Sequence, residues 1–135
     1  MIDLFTHAVP QGYKRALSQA RPDLERRLAG MPTLYDMDQR FRIMDKYENL
    51  KQVLTLSLTA ALVLEDPGRA VDFAKKANDE MAELVTKYPN RFAAAAASLP
   101  MTDMEAALKE LDRAVTELKL KGLQLFTPTL DKPLD

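Results

Sequence analysis

Short apolar runs alternate along this chain with longer stretches whose apolar residues return every third or fourth position. Ile2 to Val9 is mostly apolar and stops at the turn-forming Pro10-Gln11-Gly12, which predicts a buried strand over 2–9. The Arg-rich stretch from Tyr13 to Ala29 is weakly helical, interrupted by Pro22 and closed by Gly30 and Pro32. Asp36 is placed to cap a helix through Tyr47, with Met37, Phe41 and Met44 as its apolar stripe. The region near 13–47 is thus a helical insertion. Gln52 to Leu58 alternates and contains β-branched residues, which predicts a strand over 52–58. Asp66-Pro67 starts a helix with Ala70, Phe73, Ala74, Ala77, Met81 and Leu84 among the residues of one broad face. Five consecutive alanines, Ala93 to Ala97, favour helix on propensity. Pro89 and Pro100 bracket them, and the segment is too short for a stable helix, so 92–99 is assigned as a strand. Thr102-Asp103-Met104-Glu105 fits a capping box opening a helix with Met104, Ala107, Leu108, Leu111, Val115 and Leu118 as its stripe. Gly122 to Thr127 predicts a fourth strand over 122–127, ended by Pro128.

Strands alternating with helices imply an α/β fold with a parallel sheet and right-handed crossovers. Residues 1–135 form one unit, without repeat, low-complexity tract or linker. Its first and fourth strands would be open edges. Leu54, Leu56, Phe126 and the alanines are expected on the sheet face that no helix covers, a surface that should not stay in water.

Composition narrows the function classes. Lysine plus arginine number 19 against 20 acidic residues, for a net charge of −1, so the basic excess of a nucleic-acid binder is missing. Hydrophobic residues at 47% and charged residues at 29% are ordinary for a globular domain. With no cysteine and one histidine, neither a thiolate site nor a His-rich metal cage can be built from this chain alone. No stretch approaches the ~20 apolar residues of a membrane span. The N-terminus lacks the pattern of a secretory signal, so a cytoplasmic location without membrane partner is expected. There is no Gly-rich phosphate loop.

A set of residues in order and spacing points further. It comprises Ile2-Asp3-x-x-Thr6-His7 with Pro10, Tyr35-Asp36 with Arg40 and Met44-Asp45, and Gln52 to Ser57. It continues with Ala77-Asn78-Asp79-Glu80, Tyr88-Pro89-Asn90-Arg91-Phe92, Leu99-Pro100, Glu110-Leu111-x-Arg113 and Gly122 to Thr127. Over its whole length the chain resembles the N-terminal half of the amidohydrolase-related barrel enzymes, the group of aminocarboxymuconate-semialdehyde and resorcylate-type decarboxylases and related hydrolases. The resemblance implies a four-stranded parallel (β/α) half-barrel, the first half of a TIM-type barrel. A barrel typically takes about 200 residues or more, with its chemistry at the C-terminal strand ends.

The resemblance also implies which residues carry chemistry. The family begins with His-x-His, or with Glu at the first position in some decarboxylases; here the triplet is Phe5-Thr6-His7. Alternation points both ligand positions into the barrel mouth. Phe5 has no lone pair for a metal and is read as filling the ligand's space, or as lining an apolar pocket. The family's later metal ligands have no counterpart in these 135 residues. His7 is either the remaining ligand, a general acid/base in a site completed by another chain, or a strand-end histidine with no such role. Imidazole is the side chain suited to acid/base work near neutral pH. Thr6, Ser57 and Thr127 are candidates for binding substrate oxygens, as are Thr55 and Ser98; hydrogen bonding to loop backbone is the plainer alternative. Arg40 and Arg42 could read a carboxylate but suit surface ion pairs better, and the Arg26-Arg27 pair lies in a variable segment to which the family's carboxylate-reading role is not carried over. Asn78-Asp79 suits fixing its helix against a loop.

No cofactor is expected in the isolated chain, and a divalent metal such as zinc only if a partner supplies ligands. The expected partner is a second copy in a homodimer or a subunit carrying the C-terminal half, together with a small-molecule substrate. The implied function is one half of a hydrolase or nonoxidative decarboxylase for a small carboxylated or aromatic substrate. The alternative is a non-catalytic assembly half or an inactive fragment.

Overall fold

The structure is a computed structural model that describes residues 1–57 and 66–126. Strand β1 (Ile2–Ala8) is followed by helices α1 (Gln11–Ala20) and α2 (Pro22–Ala29), a 3-10 turn (Pro32–Leu34) and α3 (Met37–Met44). Then come β2 (Lys51–Leu56), α4 (Pro67–Lys87), β3 (Phe92–Ser98), α5 (Met104–Thr116) and β4 (Gly122–Gln124). The strands form one sheet in the order β1-β2-β3-β4, every neighbouring pair parallel. This is the expected half-barrel.

Each predicted strand is present and each is shorter at its C-terminal end. Strand 2–9 closes at Ala8, 52–58 at Leu56, and 92–99 at Ser98. The fourth ends at Gln124. Leu58 and Thr127 lie outside the described residues. In the helical insertion, Pro22 separates two true helices. The first begins at Gln11, ahead of the expected start. Its free N–H groups at Gly12 and Tyr13 donate to the Glu80 carboxylate from α4, at 2.8 and 3.2 Å. Asp36 caps α3 through the Gln39 amide as expected, but that helix stops at Met44. Asp66 caps α4 through Gly68 and Arg69.

The register decides which sheet face is roofed, and it reverses one expectation. Thr6 pairs with Leu54, Ala8 with Leu56, and Leu54 with Ala95. Ala8, Leu54, Ala95, Ala97 and Phe92 pack with Met44 of α3 and Met81 of α4. Leu56 packs with Val9, Tyr13, Leu17, Leu24 and Leu28 under α1 and α2. Leu54 and Leu56 therefore lie under helices and do not line the opposite face. By alternation that face carries Phe5, His7, Val53, Thr55, Ala94 and Ala96.

Helix α5 is turned differently from its apolar stripe. Ala107, Glu110 and Ala114 are buried, while Met104, Leu108 and Val115 are exposed. A polar network does this. The Asn78 side chain accepts from the Ser98 N–H at 2.8 Å and donates to the Ser98 carbonyl at 3.0 Å, acting as a short extra ladder partner at the end of β3. Its amide also donates to Glu110 Oε1 at 2.7 Å. Arg113 grips both Glu110 oxygens and Asp79. Those contacts, the Glu110 bond first, hold the Arg113 guanidinium protonated beyond its ordinary range. The capping box is corrected as well. Asp103, in extended backbone, caps α5 through the Ala106 amide at 3.0 Å. The Thr102 hydroxyl is buried without a partner among the described residues, and Glu105 pairs with Lys109.

Asn78→Ala should cost about 3 kcal/mol in denaturant unfolding, because it strands the Ser98 amide and a buried carboxylate; a loss under about 1 kcal/mol would show that this tie is dispensable. Burial pushes the Tyr13 phenol well above its usual range. The unfolded phenol ionises first, so the stability present below about pH 10 is lost as pH rises above it. Tyr13→Phe should flatten that alkaline decline relative to the parent chain.

Candidate functional site

The C-terminal end of β1 places His7 on the face turned away from the helices. Its parallel partner in the ladder is Thr55. The Thr55 hydroxyl and His7 Nδ1 are 2.9 Å apart, a hydrogen bond whose direction follows the imidazole tautomer. Thr55 is buried and His7 half-buried. The Phe5 ring meets the imidazole edge-on, with centroids 4.8 Å apart and planes at 67°. Phe5 itself is 67% exposed on the strand's outer side. The site thus consists of an imidazole held through one nitrogen, a hydroxyl beneath it and an open aromatic ring beside it.

The other predicted residues are placed differently. Thr6 is buried on the helix side, and its hydroxyl donates to the Val53 carbonyl at 3.0 Å. Ser57 is half-buried just beyond β2, with its backbone N–H on the Ala8 carbonyl at 2.9 Å. Ser98 is buried and held by Asn78. Thr127 lies outside the described residues. Arg26, Arg27 and Arg42 are exposed.

Arg40 is not a surface residue. It is 6% exposed beneath the sheet edge. Its Nε donates to Gln52 Oε1 at 2.8 Å, and its Nη1 to the carbonyls of His7 at 2.8 Å and Thr33 at 3.0 Å. One guanidinium thereby ties β1, the 3-10 turn and β2 together directly under His7. Burial lowers its pKa to about 10, against the opposing pull of Asp3. It stays charged at neutral pH and bears the cost of desolvation. Sequence reading placed Arg40 in a family position but missed its burial. Gln52 facing it two positions before Leu54 was the available signal.

Metal coordination needs lone pairs, and Phe5 supplies none. Thr55 engages only Nδ1, so His7 could offer Nε2, but that is a single donor. Among the described residues no three His, Cys, Asp or Glu side chains gather into a group that could hold an ion. The donor set of this stretch does not fit a metal. Among the described residues no helix is long and apolar enough to cross a membrane.

Comparisons with known proteins bear on the family and the fold. A family model described as amidohydrolase matches residues 2–135. The chain is 41% identical over 101 residues to a gamma-resorcylate decarboxylase of Polaromonas sp. (strain JS666 / ATCC BAA-500), covering 75% of this chain and 29% of that protein. It is 33% identical over 101 residues to a 2-amino-3-carboxymuconate-6-semialdehyde decarboxylase of Dictyostelium discoideum, covering 75% and 28%. The structure of a dihydroxybenzoic acid decarboxylase from Polaromonas sp. JS666, with bound manganese and 2-nitroresorcinol, superposes with a TM-score of 0.70 at 34% identity, over 90% of this chain and 36% of that one. A 5-carboxyvanillate decarboxylase from Sphingomonas paucimobilis gives 0.74 at 25% identity, over 91% and 41%. The chain spans well under half the length of these relatives.

Because the donor set is incomplete, adding manganese or a chelator should leave the melting temperature within about 1 °C in differential scanning fluorimetry, since only a ligand that binds the folded state raises it. A rise of several degrees with manganese would show donors that the described residues lack.

Proposed function

The chain belongs to the amidohydrolase family, and from that premise we propose that it supplies the first half of a nonoxidative decarboxylase site for a small aromatic carboxylate. The observation that carries this reading is the His7–Thr55 pair beside the exposed Phe5 ring, at the strand ends where a barrel keeps its chemistry. The relatives named above are decarboxylases, several of aromatic acids.

In such a reaction the bond from ring carbon to carboxylate breaks, carbon dioxide leaves, and the electron pair stays on the ring carbon. That carbon must then take a proton. The acid is the His7 imidazolium, whose Nδ1–H donates to the Thr55 oxygen while the Nε2 proton passes to the carbon; the neutral imidazole left behind takes a proton back from solvent. Phe5 offers an edge or face to an aromatic substrate. The remaining wall of the pocket would come from strands adjoining β1 and β4, on this polypeptide or on a partner. The edges favour that completion: Ile2 and Leu4 on β1, and Leu123 with Leu125 at β4, are exposed apolar residues on edges without a ladder partner among the described residues.

A second reading, a barrel half kept for assembly without catalysis, is favoured by one observation, Phe5 at the first ligand position. One experiment separates the two. The chain is joined to the part of the Polaromonas gamma-resorcylate decarboxylase that lies beyond the matched stretch. Loss of 2,6-dihydroxybenzoate and release of carbon dioxide are then followed. The catalytic reading expects turnover, lowered about 100-fold or more by His7→Ala, with little change in melting temperature. Absence of turnover in a folded product, or turnover indifferent to His7→Ala, sinks the role given to His7 and leaves the assembly reading.

A further inference from the structure

A groove of about 580 Å³ runs between the free edge of β1 and α3, on the helix side of the sheet. Its open walls are mainly apolar, with Ile2, Ile43 and Tyr47 at 58%, 46% and 53% exposed, and the exposed Asp3 stands at its rim. Its floor is Arg40. Nε and Nη1 of that guanidinium are spent on Gln52, His7 and Thr33, while Nη2 has no hydrogen bond among the described residues. No carboxylate there lies within ion-pair distance of it. Asp3 acts on it only from farther off, and one Asp3 oxygen accepts from the Phe5 amide. A buried guanidinium without a facing carboxylate is costly, and the open groove leads to it.

The fold says what shape would fill the space. On this face α3 lies over β1 and β2, with α4 and α5 over the strands that follow. A strand added in parallel to β1 would bring a helix onto the same face, because crossovers are right-handed. Apolar walls over a cationic floor specify the surface of that helix.

We propose that the groove beside β1 seats one amphipathic helix, whose apolar face covers Ile2, Ile43 and Tyr47 and whose carboxylate pairs with Arg40. This rests on the half-barrel reading and narrows it, by naming the seat and the charge it selects.

The chain has no cysteine, so single reporters are clean. An environment-sensitive fluorophore is placed at Ile43→Cys in the groove, and in a separate sample at Leu108→Cys on the exposed stripe of α5. The probe is the stretch of the Polaromonas gamma-resorcylate decarboxylase that follows the matched part. Both reporters should shift to shorter wavelength on titration. Arg40→Gln should weaken the Kd read at position 43 by tenfold or more. Should that variant unfold, Tyr47→Glu and Tyr47→Lys decide: both remove the same apolar contact. The Glu variant, which offers Arg40 its own carboxylate and repels the incoming one, should bind at least fivefold more weakly than the Lys variant. A shift at position 108 alone, an Arg40→Gln that binds unchanged, or a Lys variant as weak as the Glu variant overturns the groove inference and leaves the half-barrel reading standing. Silence at both reporters overturns both.

Discussion

A parallel sheet needs cover on both faces and partners on both edges, and this requirement organises the whole chain. Its strands carry apolar residues on both sides because both sides are meant to be buried. The helices satisfy one side: Ala8, Leu54, Ala95 and Ala97 meet α3 and α4, and Leu56 meets α1 and α2. The other side carries Phe5, Val53, Ala94 and Ala96 with the His7–Thr55 pair. The outer edges of β1 and β4 carry exposed Ile2, Leu4, Leu123 and Leu125. The exposed stripe of α5 belongs to the same account. Met104, Leu108 and Val115 are unused because Asn78 and Glu110 turn the alanine face inward. An outward apolar stripe is a sensible arrangement only where another element is to pack.

The number, order and direction of the strands were legible in the sequence because prolines and polar turns punctuate the apolar runs. The covered face was not. When both faces of a strand are apolar, alternation leaves the two choices equivalent, and only register against the helices separates Leu54 and Leu56 from Val53 and Thr55. Register itself was hidden by the irregularity between Asp3 and Thr6, which adds a residue to β1 relative to β2. Thr6, between Phe5 and His7, falls under the helices by simple alternation, with its hydroxyl on the Val53 carbonyl. The helix caps show the same limit in miniature. Both Thr102 and Asp103 suit an N-cap, and the backbone conformation at Asp103 selects the carboxylate. The burial of Glu110 and Arg40 contradicts what charged residues usually do; each is explained by partners far away in sequence.

The candidate site was legible as a motif and obscure as a geometry. Phe5-Thr6-His7 could be read directly, together with the loss of a lone pair at the first position. What the motif could not give is that the imidazole is held by Thr55 from the neighbouring strand and stacked edge-on against Phe5. Those two contacts change what the residue can do. Nε2 stays free, so metal coordination fails here on the neighbours, because Phe5 brings no lone pair. A proton donor needs one nitrogen fixed and the other presented, which is what the hydroxyl–imidazole pair supplies.

Arg40 joins the site to the edge of the sheet. Its Nη1 holds the carbonyl of the residue whose imidazole forms the site, and its Nε holds Gln52, whose strand carries Thr55 three positions later. The orientation of His7 against Thr55 therefore depends on where this guanidinium settles. At neutral pH that guanidinium is charged, buried and without a close carboxylate, so its position reflects a compromise between three neutral acceptors and the pull of open water through the groove. A carboxylate closing the groove would remove that pull while leaving all three bonds intact. Completing the sheet and fixing the strand end that carries His7 would then be one electrostatic event. The half-barrel can form its core without that event, because nothing in the packing of Leu54, Met44 or Met81 requires it.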